Sequence, residues 1–283
     1  MIDIRKKIVH IVLDYTASRQ TFGLYLDPQT DMLVTFPKPK ASELHLFYQS
    51  QQYISHTDAR TSLLDIVYQW VKKYAIAKKI AVINSLHPTK GQILDIGAGT
   101  GDFAAAASRD GWEVTAVEPS ASAAALAQQK KIQCQQDSTK LLSNAFDVIT
   151  MWHVLEHVPD LEKQITELKR LLKPNGTIFV AVPNYKSFDA KHYGRFWAAF
   201  DVPRHLWHFS KNSIKAIFGT HGMILQDCKP MFFDAFYVSI LSEKYKNGRT
   251  NLFKAIFTGF KSNLKARKSG QYSSLIYIIK NKL

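Results

Sequence analysis

The sequence predicts an α/β fold built on a doubly wound, Rossmann-like sheet of seven strands. Short apolar segments alternate with helical segments from residue 92 to residue 182. A glycine-rich turn joins the first of these strands to its helix, and a last apolar run follows a basic stretch near the end of the chain. Strands separated by helices form parallel sheets with right-handed crossovers, and ligands bind at the carboxyl ends of the strands.

Composition bounds the domain organisation. The 283 residues, 46% of them hydrophobic, suffice for one α/β domain with appendages. The chain has no run of 18 apolar residues, and its charged start does not have the form of a signal peptide, so we expect a cytoplasmic protein. Cys134 and Cys228 are too few for a disulfide framework or a cysteine-based metal site.

We expect an amino-terminal extension over residues 1–58 and the main domain over residues 59–283. Within the extension, strand-like segments at 21–26 and 31–36 flank a turn signal at 27–30 and predict a β-hairpin. The hairpin and the residues after it are interpreted as a lid over the main domain.

Helical spacing of apolar residues predicts one or two amphipathic helices before the sheet begins. The predicted helices lie at 61–86, 101–110, 120–130, 160–172 and 210–220, and the predicted strands at 92–96, 113–118, 131–135, 146–152, 176–182, 223–231 and 273–279. Ser210 is the expected cap of the last helix and Gly222 its stop. Residues 232–272 form a basic helical insert before the last strand.

The turn after the first strand of this sheet is the most informative segment. Gly97, Gly99 and Gly101 permit positive φ and a close approach of ligand to backbone, while the following helix presents free N–H groups. A dinucleotide-binding G-x-G-x-x-G turn has glycine where this chain has Asp102, so the spacing points away from NAD. Glu118, at the end of the next strand, can accept both ribose hydroxyls of an adenosine.

This combination, D-x-G-x-G-x-G followed by an acidic residue at the next strand end, resembles the class I S-adenosylmethionine-dependent methyltransferases. Asp137, the segment 152–160 and the turn 171–176 stand where that family has its adenine contact, its active-site strand end and the turn before its fifth strand. The resemblance covers about residues 60–228 and implies S-adenosyl-L-methionine as cofactor. It also implies a last strand antiparallel to the sixth.

The resemblance implies a cofactor site along the tips of the first four strands. The expected contacts are Asp95, Gly97, Ala98, Gly99, Thr100, Gly101, Glu118, Pro119, Asp137, Ser138, Trp152 and His153. Asp137 could instead form a turn, and Trp152 could instead belong to the core.

The amino-terminal extension is similar to a zinc-ribbon-like hairpin that some methyltransferases of this family carry before a Pro-x-Pro and a tyrosine-rich helix. Pro37, Pro39, Tyr48 and Tyr53 stand in matching places. Because the ribbon cysteines are missing, we interpret the extension as a degenerate ribbon that cannot hold zinc.

The segment 152–160 resembles the ubiquinone-pathway O-methyltransferases, in which an acidic residue three positions before Glu-His is thought to bind a divalent cation with them. This chain has His153, Glu156 and His157, whose spacing shares one face of a helical turn. Histidine in place of the first acid favours a softer ion than magnesium, or no ion. We predict no metal, with Glu156 and His157 as hydrogen-bonding residues at a helix start.

Methyl transfer from a sulfonium depends on holding the acceptor in line with the S–CH3 bond, and on a base where the acceptor carries a proton. His205 is the leading candidate base, because the connection after the fifth strand forms much of the acceptor pocket in the family. His157 and His153 are further catalytic candidates. Alternatively, His205 and His208 only hold the loop through hydrogen bonds.

Acceptor contacts are predicted in the loop after the fifth strand and in the lid-like segment of the extension. The residues are Tyr53, His56, Arg204, His205 and Trp207. The alternative for the lid residues is ordinary packing under the hairpin.

Two functions from different classes follow. The first is an enzyme that methylates an oxygen, less readily a nitrogen, on a small or lipid-linked acceptor; the Asp/Asn-Pro-Pro-aromatic motif of nucleobase amino-group methylation is missing after the fourth strand. The second is a catalytically silent cofactor-binding protein, or one that docks RNA or an anionic surface on the same fold.

The net charge of +14 is concentrated near the end of the chain. Residues 229–283 contain 11 Lys and Arg against two acidic residues, a balance of +9. Such a segment can attract the phosphates of RNA or an anionic membrane surface, or it can be a solvated face without a partner.

Overall fold

The computed structural model describes residues 7–40, 43–48 and 63–282. Its strands are β1 Ile8–Leu13, β2 Thr21–Asp27, β3 Met32–Phe36, β4 Gln92–Ile96, β5 Glu113–Val117, β6 Gln133–Gln135, β7 Phe146–Trp152, β8 Leu172–Pro183, β9 Trp207–His208, β10 Met223–Met231 and β11 Ser274–Asn281. Its α-helices are α1 Leu63–Leu86, α2 Asp102–Arg109, α3 Ala121–Gln129, α4 Leu161–Leu171, α5 Phe188–Tyr193, α6 Lys211–Gly219, α7 Asp234–Asn247 and α8 Leu252–Ser269.

The central sheet has seven strands in the order β10-β11-β8-β7-β4-β5-β6. Strands β4 to β8 pair in parallel, whereas β11 lies between β8 and β10 and is antiparallel to both. The predicted doubly wound sheet with an antiparallel last strand is confirmed. The central strands β8 and β11 carry continuous apolar runs because helices or loops cover both of their faces.

Two helices that flank the sheet begin at capping residues, and for α6 this residue is the one that the sequence predicts. Ser210 caps α6 in a capping box with Ser213, and Asp160 caps α4 by accepting from the Lys163 N–H at 3.1 Å. Gly222 follows α6 with a φ of 69°, in the left-handed region that favours glycine. The buried face of α4 packs into the main core through Leu161, Ile165, Leu168 and Leu171.

A second, four-stranded sheet has the order β1-β2-β3-β9. Its β2–β3 hairpin confirms the predicted one, and β1 adds an edge strand with Ile8 and Ile11 exposed. The fourth strand, β9, comes from the loop after β8 and pairs with β3 through Leu33–His208 and Val34–Trp207. Residues on both sides of the expected boundary at residue 58 therefore build one sheet.

The segment before the last strand is helical, as predicted, and consists of α7 and α8 packed against each other. Among the described residues, no helix combines the length and the apolar character needed to cross a bilayer. The predicted lid residues Tyr53 and His56 lie outside the described residues.

Candidate active site

The glycine turn between β4 and α2 leaves open space at one of its three glycines. Gly97, Gly99 and Gly101 all have positive φ, as the sequence predicts. A Cβ on Gly97 would lie 2.4 Å from Val154, and one on Gly101 would lie 2.7 Å from the Ala127 side chain. A Cβ on Gly99 would meet no atom within 4 Å, so Gly99 borders the space that a ligand can enter.

Glu118 is fixed by backbone N–H groups on both of its oxygens. Its Oε2 accepts from the Gly99 N–H at 2.8 Å, and its Oε1 accepts from the Ser120 N–H at 2.8 Å. A carboxylate has about four acceptor sites, so each oxygen keeps one for a ligand hydroxyl. The glycine turn and the carboxylate are thus held together as one preformed rim.

Asp95 lies under this rim with only 2% of its surface exposed. Burial raises the pKa of Asp95 to about 7, even though the Thr150 hydroxyl donates to its Oδ1 at 2.7 Å. Lys79 on α1 faces the same region, and burial lowers the pKa of its amine to about 8. The Lys79 Nζ lies 4.4 Å from the centre of the Trp152 ring, which in turn packs edge-on against Phe103.

Lys79 is a site residue that the sequence did not single out. The signal was present, because Lys79 stands three residues after Ile76 and four before Ile83 on the apolar face of the predicted helix. A lysine in that register is held against the sheet, with its stem packed and its amine at the strand tips.

The predicted adenine contacts lie in a turn after β6. Asp137 is exposed, and its Oδ1 accepts from the N–H and the hydroxyl of Thr139. This is the geometry of a turn-forming aspartate, the alternative to an adenine contact. The Ser138 hydroxyl donates to Glu167 Oε1 at 2.8 Å. Oδ2 of Asp137 is not used in that turn, and the role of Asp137 and Ser138 toward adenine stays a prediction.

Asp102, at the sixth position of the turn, forms ion pairs with Lys72 and Lys130 at 2.7 Å each. Burial favours the neutral acid, but the two lysines outweigh it and hold the pKa of Asp102 at about 2. The acidic residue that departs from the dinucleotide pattern therefore ties α1 and α3 to the start of α2.

His153 lies between two carboxylates. Its Nδ1 is 3.3 Å from Glu156 Oε1, and its Nε2 is 3.2 Å from Asp234 Oδ2 at the start of α7. Burial opposes the charge, but hydrogen bonds to Asp234 and Glu156 raise the pKa of His153 to about 9. His153 is thus an imidazolium at neutral pH, with no lone pair for a proton or a metal ion.

The expectation that His153, Glu156 and His157 share a face of one helical turn is wrong. His153 has a φ of 58°, in the left-handed region, and the 3-10 turn begins only at Leu155. His153 still reaches Glu156 through this kink, but the ligand atoms that the structure groups belong to other residues.

The rings of His157 and His205 lie side by side, with their centres 4.6 Å apart. The backbone oxygen of Arg204 lies 3.0 Å from His157 Nδ1, and that of Ala199 lies 2.8 Å from His205 Nδ1. A carbonyl can only accept, so each Nδ1 carries a proton, and in the neutral form of each ring it is Nε2 that presents the lone pair. Burial, together with the neighbouring His205, lowers the pKa of His157 to about 4.

Glu156 completes this pair. It is 1% exposed, and no described residue donates to its Oε2. Burial favours the neutral acid, but the imidazolium of His153 outweighs it and holds the pKa of Glu156 below its usual range. Ligand atoms of Glu156, His157 and His205 lie within 4.8 Å of one another, so these three residues, rather than the set containing His153, fit a divalent cation.

The loop that carries His205 is held by its own contacts and by the amino-terminal sheet. Arg204 is 2% exposed, and its guanidinium donates to Asp201 and to the Phe47 backbone oxygen. The Trp207 indole N–H donates to the Val158 backbone oxygen at 2.7 Å, and Lys38 lies 4.1 Å above its ring. These placements give Arg204 and Trp207 positions in the framework of the loop, and their contact with an acceptor stays a prediction.

A family described as a methyltransferase domain matches residues 68–225, more than half of the chain. The chain belongs to this family. The methyltransferase is 33% identical over 143 residues to the ubiquinone biosynthesis O-methyltransferase of Albidiferax ferrireducens, covering 46% of this chain and 57% of that protein. It is 31% identical over 147 residues to the enzyme of the same name from Coxiella burnetii, covering 46% and 62%. The matches thus span less than two thirds of these relatives.

Solved structures share the fold at low identity. The magnesium protoporphyrin IX methyltransferase of Synechocystis PCC 6803, with bound S-adenosylhomocysteine, has a TM-score of 0.57 at 14% identity, covering 86% of this chain and 100% of that one. The phosphoethanolamine N-methyltransferase 2 of Haemonchus contortus, in complex with S-adenosylmethionine, has a TM-score of 0.54 at 18% identity, covering 88% and 62%. Both of these structures hold S-adenosylmethionine or its demethylated product, in keeping with the cofactor that the sequence resemblance implies for this chain.

Proposed function

We propose that this methyltransferase transfers a methyl group from S-adenosylmethionine to an oxygen of a small or lipid-linked acceptor. The observation that carries the proposal is the pair His157 and His205, whose rings lie together beside the buried carboxylate of Glu156. A hydroxyl acceptor loses its proton during transfer, and a neutral imidazole can take it. An uncharged amine needs no such base before it attacks.

The pair is connected to the cofactor side of the site through Val154. This residue contacts Gly97 of the glycine turn and directly precedes the 3-10 turn with Glu156 and His157. Glu118 would bind the ribose hydroxyls, and Asp95 with the turn backbone would hold the methionine part. Positioning of this kind is worth roughly 7–11 kcal/mol of barrier in transfer reactions.

A divalent cation, which the ubiquinone-pathway resemblance implies, would be held by Glu156, His157 and His205. Such an ion would polarise the acceptor oxygen and lower the pKa of its proton. In either case His153 acts through Glu156, because its positive charge keeps that buried acid ionised.

Methyl transfer is tested with isotope-labelled S-adenosylmethionine and a panel of phenols, carboxylic acids, amines and lipid extracts. We expect label on an oxygen, located by tandem mass spectrometry. Glu118→Ala should lose cofactor affinity and label incorporation together, whereas exposed Glu162→Ala should keep both. Label found only on nitrogen would overturn the oxygen assignment.

The competing function is a catalytically silent protein that docks RNA or an anionic surface through its basic insert. It predicts that Glu118→Ala leaves partner binding unchanged and that no acceptor in the panel is ever labelled. The charge of the insert favours such docking, and it is compatible with catalysis as well.

A further inference from the structure

Helix α8 carries an apolar stripe on its solvent side. Six large apolar side chains on this helix are each between 48% and 91% exposed: Leu252, Phe253, Ile256, Phe257, Phe260 and Leu264. Their spacing places them along one face of the helix. Large apolar side chains are rarely gathered in this way on a surface that faces only water.

The packed face of α8 lies opposite the apolar stripe and consists of small residues. They are Ala255, Thr258, Gly259, Ser262 and Ala266. A Cβ on Gly259 would lie 2.7 Å from the Phe236 ring of α7, so the two helices are in close contact there. The Ser262 hydroxyl donates to buried Asp189 at 2.7 Å. Because this face fixes the rotation of α8, the apolar stripe must point outward.

A lysine row borders the apolar stripe. At about 100° per residue, four lysines fall together on one flank: Lys254, Lys261, Lys265 and Lys268. Lys254 pairs with Glu243 of α7 at 3.6 Å, but no acidic residue follows Glu243 in the sequence, so α8 itself carries no countercharge for Lys261, Lys265 and Lys268. An apolar face with lysines beside it complements a surface of anionic phosphates over an apolar layer.

We propose that α8 docks the methyltransferase on anionic lipid bilayers, with the apolar stripe in the acyl boundary and the lysine row at the lipid phosphates. Half of the stripe is aliphatic and has no stacking face for a nucleobase, namely Leu252, Ile256 and Leu264, whereas all six side chains can enter an acyl layer. Lipid therefore fits the stripe better than RNA does. A second copy of the chain packed on the apolar stripe would bring Lys261, Lys265 and Lys268 of the two copies together, with no acidic residue on α8 to offset their charges.

The docking proposal is connected to the proposed function because α7, which packs along α8, begins at Asp234 beside His153. The Asn263 side chain also donates to the Phe232 backbone oxygen, just before α7. Docking through α8 would therefore hold the acceptor side of the site close to a lipid-linked acceptor. This connection rests on the proposed function, whereas binding of α8 to lipid does not.

The test is co-sedimentation of the full-length protein with vesicles of phosphatidylcholine alone, or mixed with phosphatidylglycerol, without acceptor. We expect binding to the mixed vesicles that weakens as salt is added. Phe253→Gln, Phe257→Gln and Phe260→Gln together should lower the vesicle affinity about a hundredfold or more. Lys261→Gln, Lys265→Gln and Lys268→Gln should lower it about fivefold each.

Leu142→Gln is the matched control, since Leu142 is 78% exposed on another part of the surface and should leave vesicle binding unchanged. Thermal melts and calorimetry with S-adenosylhomocysteine establish that each variant is folded. Equal binding to both vesicle types, no binding to either, or a dimer that the phenylalanine variant abolishes would overturn the proposal. RNA binding that the phenylalanine variant leaves intact, without vesicle binding, would assign the lysine row to RNA instead.

Glu118→Ala keeps the two proposals separable. It should lose cofactor binding and still sediment with the mixed vesicles, because it leaves α8 untouched.

Discussion

The hydroxyl of Thr35 donates a 2.7 Å hydrogen bond to the backbone oxygen of His205. The same hydroxyl lies 2.9 Å from His208 Nε2, which must be the donor because the single hydroxyl proton is already used. The Thr35 N–H also donates to the Leu206 oxygen at 3.0 Å. A residue of the amino-terminal extension thus holds the backbone of the candidate base His205 and of its neighbour in the loop.

Thr35→Val should loosen this loop without changing its packing volume. The substitution leaves the buried N–H of His208 without its acceptor, so we expect a loss of about 1–3 kcal/mol in the free energy of unfolding. Hydrogen exchange at residues 205–209 should become faster. Thr35→Ser, which keeps the hydroxyl, is the control, and equal exchange in both variants would contradict the positioning role.

Alanine at two of the turn glycines should separate strain from ligand exclusion. Gly99 and Gly101 both have positive φ, which costs alanine about 1–2 kcal/mol. Only the Gly101 Cβ collides, with Ala127, so Gly101→Ala should destabilise the fold further. Gly99→Ala should lower the free energy of unfolding by the strain cost alone. It should nevertheless lose affinity for S-adenosylhomocysteine, as measured by calorimetry. Unchanged affinity in Gly99→Ala would place the cofactor elsewhere.

The charge on His153 should make the free energy of unfolding fall as the pH becomes alkaline. Its pKa is raised from 6.5 to about 9, so its contribution is fully present below about pH 6.5 and is lost as pH rises through about 9. Because the ring is partly exposed, we expect this loss to be about 1–2 kcal/mol. His153→Gln should flatten the dependence in denaturant titrations at several pH values. A wild-type curve that is flat over the same interval would contradict the charged assignment.

His205→Gln should separate proton transfer from cofactor binding. We expect label incorporation to fall about 10²- to 10⁴-fold while affinity for S-adenosylhomocysteine stays unchanged. Lys215→Gln on α6, away from the site, is the control variant and should keep both label incorporation and cofactor affinity. Full activity in His205→Gln would leave His157 as the base.

Metal binding should follow the three residues that the structure groups. If an ion binds, His205→Gln should weaken uptake of Co²⁺ or Zn²⁺, measured by absorption spectroscopy and calorimetry, by about 10- to 100-fold or more. His153→Gln should keep most of the uptake, because His153 has no lone pair to offer. The reverse order would restore the sequence-derived set.

The sequence predicts the sheet and the glycine turn well because their signals are local. Apolar runs mark β4 to β8, and the three glycines stand where positive φ is required. The sequence also places Glu118 at the end of the next strand, whereas its hydrogen bond with the Gly99 N–H is seen only in the structure. Each of these features needs only the next element in the chain.

Features that join distant segments were not predictable in the same way. Strand β9 has only two residues and pairs with β3 across about 170 positions, so it is too short to show the alternation of apolar and polar residues that predicts a strand. His153 acquires its charge from Asp234 on α7, and its left-handed backbone breaks the helical spacing on which the metal set was based. His205 meets His157 only because the loop after β8 returns to the β7 tip.

Strand β9 has a consequence for how acceptor preference can be moved between relatives. The hairpin and the histidine loop share a hydrogen-bonded edge, so a chimera that exchanges either stretch alone would pair mismatched partners. If the loop binds the acceptor as we propose, transplanting both stretches from one donor protein should transfer its acceptor preference, because the paired strands then stay matched.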